Sequence, residues 1–315
     1  MVKQVVGRFA PSPTGRMHIG NFLSALVAWL AAKSKGGSIL LRIEDLDPDR
    51  SKAEYSEKLQ SELRWLGLDW QQPEENGQPY YQSQAEEFYQ QAYRILEKKD
   101  LLYPCYCSRS DLQIVSAPHA SDGAIVYPGI CKDLSVEQRV TKAEQTKKDP
   151  AIRVKVPDRV IEFEDLHYGL QQESLLKQTG DFLIQRADKV FSYQLAVVVD
   201  DLRMGITQVV RGRDLLPSTA RQIWLAEELG AKTLMEYGHI PLLLDYEGKR
   251  LAKRDASIGL DFLQQKYTAP QIMGKLAYLV GLIDKPQALS PQELIPEFCW
   301  SKISKEDIRV PKEYF

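Results

Sequence analysis

The loop after the first apolar segment carries a histidine and glycines whose spacing suits phosphate chemistry. Residues 5–10 form a short apolar run that prolines at 11 and 13 end, and apolar residues recur at helical spacing from residue 22. His18-Ile19-Gly20 therefore lies where a helix begins. Amides at a helix N-terminus favour an anion, Gly15 and Gly20 let the backbone approach it, and an imidazole can hydrogen-bond phosphate oxygens. The loop is a candidate phosphate site, and a merely exposed histidine is the alternative.

Three of the four cysteines stand close together, at Cys105, Cys107 and Cys131. Alternate residues of a strand point to the same side, so Cys105 and Cys107 can present both sulfurs to one ion, with Cys131 arriving from a later loop. This spacing favours a structural zinc site over a reduced, partly buried cluster. His119 is the fourth ligand that metal chemistry alone nominates. The remaining Cys299 is distant, so the pattern does not indicate a disulfide framework.

The elements that must position these residues alternate between strand and helix. A strand over 5–10, a helix from residue 22 that Gly36-Gly37 ends, and a strand over 38–43 predict a parallel pair with a right-handed crossover. Ser51 and Glu54 fit a capping box for a helix to about residue 66. Further helices are predicted over 85–98, 217–229 and 269–280, and strands over 197–199, 206–210 and 239–244. The pattern indicates a doubly wound α/β sheet, in which ligands bind at the carboxyl ends of the strands.

The chain divides by pattern into four segments. Residues 1–101 form the first half of the sheet domain and 191–258 the second half. Residues 102–190 are less periodic, contain the cysteines and carry a charge run at 142–149, so we expect an insertion that carries the zinc site. Residues 259–315 read as a short helical C-terminal region.

Composition limits the kinds of partner. The 315 residues are 43% hydrophobic and 27% charged, with a net charge of -2, so any RNA contact must be made by local patches. The N-terminus has no apolar run of signal-peptide length, and no stretch approaches the ~20 apolar residues that a membrane span needs. We expect a cytoplasmic protein, a monomer with no membrane partner.

Four stretches together resemble the glutamyl branch of the class I aminoacyl-tRNA synthetases. The first runs from Arg8 through the His18-Ile19-Gly20-Asn21 string, and the others follow in the family's order and spacing at residues 42–45, 193–201 and 209–214. The resemblance covers about residues 5–260. It implies a Rossmann-type catalytic domain that activates an amino acid with ATP and Mg²⁺ and then transfers it to RNA. It also implies that the insertion over 102–190 binds the acceptor and that the C-terminal region lacks an anticodon-binding domain.

A glutamate site needs cations for the side-chain carboxylate and an acceptor for the ammonium. Arg8 and Arg211 can supply forked donors and Glu44 can accept, although a structural Arg–Glu salt bridge is the alternative. The resemblance implies that glutamate is bound by Arg8, Phe9, Ala10, Pro11, Ser12, Glu44, Tyr193 and Arg211. It implies that ATP is bound by His18, Gly20, Asn21 and Lys253, with His18 and Lys253 catalytic.

The run Lys249-Arg250-Leu251-Ala252-Lys253-Arg254 stands where the family has a mobile lysine-rich loop. Without the first signature, a solvated basic loop would be the interpretation. Lys253 is expected to contact the triphosphate. The family usually has lysine at the position of Arg250 and serine at that of Ala252. Loss of one neutral donor costs ~0.5–1.5 kcal/mol, so we expect slower catalysis rather than none.

The resemblance also bears on the metal. The family pattern of Cys-x-Cys, then Tyr, then Cys implies Tyr127 as the fourth ligand of one structural zinc per chain, bound with Cys105, Cys107 and Cys131. Tyrosine is an unusual ligand because its phenol must lose a proton, which zinc facilitates. His119 stays the alternative.

The acceptor is inferred from length. Only 62 residues follow Lys253 in the 315-residue sequence, too few for a large anticodon-binding region. This is similar to the shortened branch of the family, which takes the anticodon stem-loop of tRNA(Asp) into its site and glutamylates the cyclopentenediol of queuosine at the wobble position. The alternatives are a minimal glutamyl-tRNA synthetase that charges a tRNA 3′ end, a small-molecule nucleotidyltransferase and a non-catalytic RNA-binding paralogue.

Overall fold

The computed structural model describes residues 4–71, 80–108, 126–249, 251 and 259–315. Its strands are β1 (Val6–Phe9), β2 (Ser38–Ile43), β3 (Tyr80–Tyr81), β4 (Leu102–Cys105), β5 (Ala151–Val154), β6 (Val160–Asp165), β7 (Gly169–Ser174), β8 (Phe182–Gln185), β9 (Gln208–Gly212), β10 (Glu236–Ile240), β11 (Leu243–Leu244) and β12 (Ile308–Arg309). Its helices are α1 (Ile19–Lys33), α2 (Ala53–Trp65), α3 (Glu86–Lys98), α4 (Val136–Thr146), α5 (Tyr193–Arg203), α6 (Thr219–Glu228), α7 (Leu260–Leu263), α8 (Ala269–Val280) and α9 (Pro291–Leu294).

Seven strands form the central sheet in the order β3-β2-β1-β9-β10-β6-β7. Neighbouring strands are parallel except for β7, which runs antiparallel to β6. β1 pairs with β2 on one side and with the much later β9 on the other, so the chain reverses its strand order at β1. This confirms the predicted doubly wound α/β fold and places a ligand crevice at the carboxyl ends of β1 and β9.

A second, three-stranded antiparallel sheet carries the cysteine region. Its order is β4-β5-β8, and Cys105 is the last residue of β4. The other two strands of the segment 102–190 behave differently, since β6 and β7 extend the central sheet beside β10. The cysteine region thus lies outside the central sheet, while residues 160–174 belong to it. The four segment boundaries stay a prediction.

The predicted strand over 197–199 is wrong, because these valines lie inside α5. Ser192 caps that helix by accepting a hydrogen bond from the Leu195 amide at 3.3 Å. Every residue from Leu195 to Asp201 is buried, so the helix has no solvent-facing side that would reveal its period. A short run of β-branched residues then looks the same for a buried helix and for a buried strand.

Several other helices and strands begin or end a few residues away from the predicted positions. α1 begins at Ile19 rather than at residue 22, and Lys52, without a side-chain cap, precedes α2 in place of Ser51. Pro217 lies in a 3₁₀ turn before α6, because proline suits the start of a helix better than its interior. The predicted strand over 239–244 is divided into β10 and β11. β2 and α8 have the predicted bounds.

The C-terminal region packs on the first half of the sheet domain. α1 is buried over most of its length, and residues of α8 and α9 share its apolar core. β12 pairs in parallel with β11, directly after β10, so the last strand supports the segment that leads into the lysine-rich run. No helix among the described residues is both long and apolar enough to cross a membrane.

Candidate active site

A cavity of about 350 Å³ opens where β1, β2, β9 and β10 end and α1 begins. Every described residue predicted to bind glutamate or ATP lines it: Arg8, Phe9, Ala10, Pro11, Ser12, His18, Gly20, Asn21, Glu44, Tyr193 and Arg211. Lys253, Arg250 and Ala252 lie outside the described residues, whereas Leu251 lines the cavity. The fold therefore brings together positions that are up to about 200 residues apart, and their individual roles stay predictions.

His18 is the N-cap of α1. Its Nδ1 accepts a hydrogen bond from the Gly20 amide at 3.1 Å, and the Asn21 side chain accepts from the His18 amide at 3.1 Å. With Nδ1 used as an acceptor, the proton of the neutral imidazole is on Nε2. The helix N-terminus and this N–H suit an anion in the cavity.

Two arginines and three carboxylates form a buried network beside the cavity. Arg8 Nε donates to Asp201 Oδ1 at 3.3 Å. Arg42, fully buried, donates to the same oxygen and to Glu44 Oε1 at 3.1 Å, and its Nε lies 3.8 Å from Asp200 Oδ2. Burial alone would lower the pKa of Arg42, yet Asp201, Glu44 and Asp200 together raise it. Arg42 is thus a charged anchor for the carboxylates around it.

The pKa values of two carboxylates in this network, Asp201 and Glu44, are shifted in opposite directions. Burial would raise the pKa of Asp201, but Arg42 and Arg8 hold it below its ordinary value. For Glu44 burial dominates and raises the pKa, against Arg42 and Arg8. An ammonium group next to Glu44 would favour its ionised form, so this carboxylate is suited to a cationic ligand in the cavity.

All three nitrogens of the Arg211 guanidinium are already bonded within the protein. Nε donates to His239 Nε2 at 3.0 Å, Nη1 to Gln222 Oε1 at 2.8 Å, and Nη2 to Thr219 Oγ1 at 2.9 Å and Leu215 O at 3.2 Å. The guanidinium is therefore held in one orientation at the cavity wall. A fully forked contact to a ligand, as the sequence suggested, would have to replace some of these hydrogen bonds.

His239 joins Arg211 to a carboxylate behind it. Its Nδ1 lies 2.6 Å from Asp165 Oδ2, and the imidazole has no exposed surface. Burial lowers the pKa of His239 to about 4, against the opposing effect of Asp165. The imidazole is consequently neutral at neutral pH and can accept from Arg211.

Tyr193 is the first residue of α5 and keeps 38% of its surface exposed in the cavity. Burial of its phenol and the nearby Glu44 raise the pKa of Tyr193. The hydroxyl is therefore a neutral donor and acceptor at physiological pH.

The cysteine cluster lies beside the three-stranded sheet, away from the cavity. The sulfurs of Cys105, Cys107 and Cys131 all lie within 4.8 Å of one another. Tyr127 Oη lies 3.5 Å from Cys105 Sγ and 3.7 Å from Cys107 Sγ, and the Cys107 and Cys131 sulfurs are 3.6 Å apart. Arg153 Nε donates to Cys105 Sγ at 3.3 Å. A hydrogen bond from Cys131, together with Arg153, lowers the pKa of Cys105 to about 4 against the effect of burial.

The Tyr127 hydroxyl lies beside the three sulfurs, within 3.7 Å of Cys105 Sγ and Cys107 Sγ. The Cys131 amide donates to Tyr127 Oη at 2.8 Å, and the Arg153 guanidinium lies 3.8 Å from the centre of the Tyr127 ring. Burial and the Cys105 sulfur raise the pKa of Tyr127, so a phenolate there needs a cation beside it. His119, the alternative ligand, lies outside the described residues.

Sequence reasoning missed three residues that set the geometry of the site: Asp165, Asp201 and His239. Each is a buried charged or polar residue. The adjacent acids 200 and 201 at the end of a valine run are the signal that points to a buried ion pair. The arginine partners of Asp201, however, are 159 and 193 positions away.

The chain belongs to the class I tRNA synthetases (E and Q), whose catalytic-domain model matches residues 4–310. It is therefore a ligase of the aminoacyl-tRNA synthetase type. Among curated relatives, the glutamyl-Q tRNA(Asp) synthetase of Symbiobacterium thermophilum is 48% identical over 98% of this chain and 96% of its own length. The protein of the same name from Nitratidesulfovibrio vulgaris is 45% identical over 92% of this chain and 90% of its own length.

Solved structures agree with the family. A glutamate tRNA ligase from Elizabethkingia meningosepticum, in complex with its amino acid, matches 99% of this chain and 68% of its own with a TM-score of 0.81 at 29% identity. The glutamate-tRNA synthetase of Elizabethkingia anophelis matches with a TM-score of 0.82 at the same identity, over 99% of this chain and 69% of its own. The central sheet and its cavity are thus those of a class I catalytic domain.

Proposed function

We propose that the protein activates L-glutamate with ATP, without tRNA, to form glutamyl-AMP. The observation that carries this proposal is the cavity, where two arginines, a carboxylate and a tyrosine face a helix N-terminus. Arg8 and Arg211 would bind the side-chain carboxylate of glutamate, and Glu44 would bind its ammonium group. The Tyr193 hydroxyl would hydrogen-bond a polar group of the amino acid. The same wall contributes Phe9, Ala10, Pro11 and Ser12.

ATP would lie across the start of α1. His18 Nε2–H, the Gly20 region and Asn21 would bind the phosphates, and Lys253 would approach from the lysine-rich run. The glutamate α-carboxylate would attack the α-phosphorus in line as the bond to pyrophosphate breaks, and Mg²⁺ bound with ATP would supply positive charge for the leaving group. An acceptor hydroxyl then attacks the carbonyl carbon of glutamyl-AMP, and AMP leaves.

The acceptor proposed is the cyclopentenediol of queuosine at the wobble position of tRNA(Asp), presented on the anticodon stem-loop. The support is the near full-length similarity to relatives named glutamyl-Q tRNA(Asp) synthetase at 37–48% identity. A second candidate is charging of a tRNA 3′ end, which the likeness to glutamate tRNA ligases favours.

We infer that Cys105, Cys107, Cys131 and Tyr127 bind one structural zinc ion. Zinc bound tetrahedrally by sulfur at about 2.3 Å and oxygen at about 2.0 Å sets the ligand atoms roughly 3.5–3.8 Å apart. Three of the six separations, 3.5, 3.6 and 3.7 Å, agree with that requirement, and the three sulfurs lie within 4.8 Å of one another. The metal would stabilise the cysteine region and would take no part in the phosphorus chemistry.

Glutamate-dependent exchange of pyrophosphate into ATP, measured without RNA, tests the proposed activation. We expect exchange with L-glutamate and at least about tenfold less with L-glutamine, because an uncharged amide cannot pair with the two arginines. Exchange that required tRNA, or that did not depend on glutamate, would contradict the proposal.

A further inference from the structure

The orientation of Arg211 depends on a hydrogen-bonded chain through three adjacent strands. Arg211 on β9 stands directly opposite His239 on β10, and Asp165 ends β6, the next strand. The separations are 3.0 Å from Arg211 Nε to His239 Nε2 and 2.6 Å from His239 Nδ1 to Asp165 Oδ2. All three side chains are buried, and His239 and Asp165 are not among the described residues that line the cavity.

The donor and acceptor roles of arginine and histidine determine where the protons lie in this series of hydrogen bonds. The Nε–H of arginine can only donate, so His239 Nε2 must accept. The imidazole proton is then on Nδ1, where the Asp165 carboxylate accepts it. The other oxygen, Oδ1, accepts from the His167 amide at 3.0 Å and the Tyr168 amide at 2.9 Å. Asp165 is therefore fixed in place and sets the tautomer of His239.

We propose that Asp165 and His239 are positioning residues that fix the Arg211 guanidinium for the side-chain carboxylate of the substrate. This rests on the proposed function, in which Arg211 binds glutamate. Gln222, Thr219 and the Leu215 carbonyl hold the two terminal nitrogens, and His239 holds the third. A donor already oriented before binding loses less conformational entropy when the substrate arrives.

Asp165→Asn tests the proposal with little change in shape. The asparagine side-chain oxygen can still accept hydrogen bonds from the His167 and Tyr168 amides, while its NH₂ group faces His239 Nδ1. The imidazole must then accept there and carry its proton on Nε2, opposite the Arg211 Nε–H. We expect the KM for glutamate in the exchange reaction to rise about tenfold or more, with the KM for ATP within about twofold of wild type.

Two His239 variants separate the hydrogen bond from the packing. His239→Gln keeps an amide oxygen for Arg211 and an amide N–H for Asp165, so we expect it to retain most of its affinity for glutamate. His239→Leu removes both and should raise the KM for glutamate as Asp165→Asn does. Tyr103→Phe, which removes a buried hydrogen bond from the Tyr103 hydroxyl to Asp181 Oδ2 at 2.8 Å beside the separate three-stranded sheet, is the matched control and should leave both KM values near wild type.

Histidine ¹⁵N spectra give a readout that does not depend on activity. The sequence has four histidines, so assignment by the substitutions is practical. We expect an Nδ1–H tautomer for His239 in the wild-type protein and an Nε2–H tautomer in Asp165→Asn. An Nε2–H tautomer in the wild type, or an Asp165→Asn variant with the switched tautomer and an unchanged KM for glutamate, would overturn the proposal.

The remaining outcomes are also decisive. An equal rise in both KM values, or a His239→Gln variant as impaired as His239→Leu, would indicate general distortion and sink the positioning role. If Asp165→Asn does not fold, the His239 pair decides. If the wild type lacks glutamate-dependent exchange but shows the expected tautomer, the proposed function fails while the hydrogen-bonded chain stands.

Discussion

At the scale of single residues, the cavity is built on cations whose orientation is set by protein partners. Arg211 illustrates this, because its three nitrogens are bonded to four groups on β10, α6 and the turn between β9 and α6. Arg8 has fewer contacts, to Asp201 and the Val210 carbonyl, and is the freer donor. The two arginines are therefore expected to bind glutamate differently, Arg211 as a fixed donor and Arg8 as the adaptable one.

Arg211→Ala should abolish glutamate-dependent exchange while leaving ATP binding nearly intact. Arg211→Lys should fail almost as badly, because an ammonium cannot reproduce a planar group bonded to four partners. Steady-state exchange with titration of each substrate is the measurement. Arg159→Ala, which removes a surface pair with Glu227, is the control. Equal loss of ATP and glutamate binding in Arg211→Ala would refute the assignment.

Part of this site could be predicted from the sequence. Arg8, His18 and Glu44 stand in short strings whose order is informative by itself, and all of them line the cavity. The partners of the arginines could not be predicted, because Asp201 on α5 contacts Arg8 from 193 positions away. His239 contacts Arg211 only through the pairing of β9 with β10. A single sequence contains no direct signal for such pairings.

At the scale of elements, α2 carries an unusual buried carboxylate. Glu62 is 5% exposed, and its Oε2 has no hydrogen-bond partner within the described part of the chain. Burial raises the pKa of Glu62 to about 7, despite the opposing effect of Lys58. Because the folded pKa exceeds the ordinary value of 4.5, the stability that this group contributes is full below pH 4.5 and is lost as the pH rises through 7.

Glu62→Gln should therefore stabilise the protein in a pH-dependent way. A shift of this size corresponds to up to about 3 kcal/mol at pH 8, and to little at pH 5 where Glu62 is already protonated. Urea unfolding of variant and wild type at both pH values measures it. Glu57→Gln, at an exposed position of the same helix, should show no such difference. Identical unfolding free energies for Glu62→Gln and wild type at pH 8 would contradict the prediction. They would show that ionisation of Glu62 does not destabilise the folded protein.

Ala252 and Lys253 of the lysine-rich run lie outside the described residues, so the predictions for them rest on the sequence alone. Lys253→Ala should lower adenylate formation by well over tenfold, because a charge-assisted contact to a developing phosphate is worth ~1.5–3 kcal/mol or more. Ala252→Ser restores a hydroxyl and should leave glutamate affinity unchanged with an equal or faster rate. Exchange rates at saturating substrate test both, with Lys232→Ala as a control away from the cavity. A slower Ala252→Ser variant would mean that alanine is the better residue in this loop.

The elements also show where sequence patterns stop being informative. β2 and α8 were predicted with the observed bounds, since each has one periodicity and clear ends. The valines of α5 do not show a helical period because every residue from Leu195 to Asp201 is buried. β6 and β7 were assigned to the insertion, since nothing in their local sequence specifies β10 as a neighbour.

At the scale of the whole molecule, the cavity and the cysteine cluster are separated in space. The cavity lies at the carboxyl ends of the central strands, whereas the cysteine cluster belongs to a separate small sheet. A metal in that cluster would stabilise the small sheet, which is expected to contact the acceptor RNA, without contacting the transferred group. Metal loss and loss of adenylate formation should therefore be separable.

Cys107→Ser should release zinc and weaken the cysteine region, yet spare much of the exchange reaction, while transfer to RNA falls more steeply. Elemental analysis and parallel exchange and transfer assays measure the three effects, and a chelator should reproduce them. Cys299→Ser, at an exposed cysteine outside the cluster, should retain the metal. Metal-free wild-type protein together with unaltered transfer in Cys107→Ser would leave the cluster with a packing role only. Zinc release by His119→Ala and not by Tyr127→Phe would move the fourth ligand to His119.

The most direct test of the proposed function is transfer of labelled glutamate to tRNA(Asp) whose 3′-terminal adenosine has been removed. Queuosine-containing and guanosine-containing forms of this RNA should be compared, with intact tRNA(Glu) as the third substrate. We predict labelling of the queuosine form alone, in amounts that do not depend on the 3′ end. Labelling of intact tRNA(Glu) and not of the truncated queuosine-containing tRNA(Asp) would contradict the account.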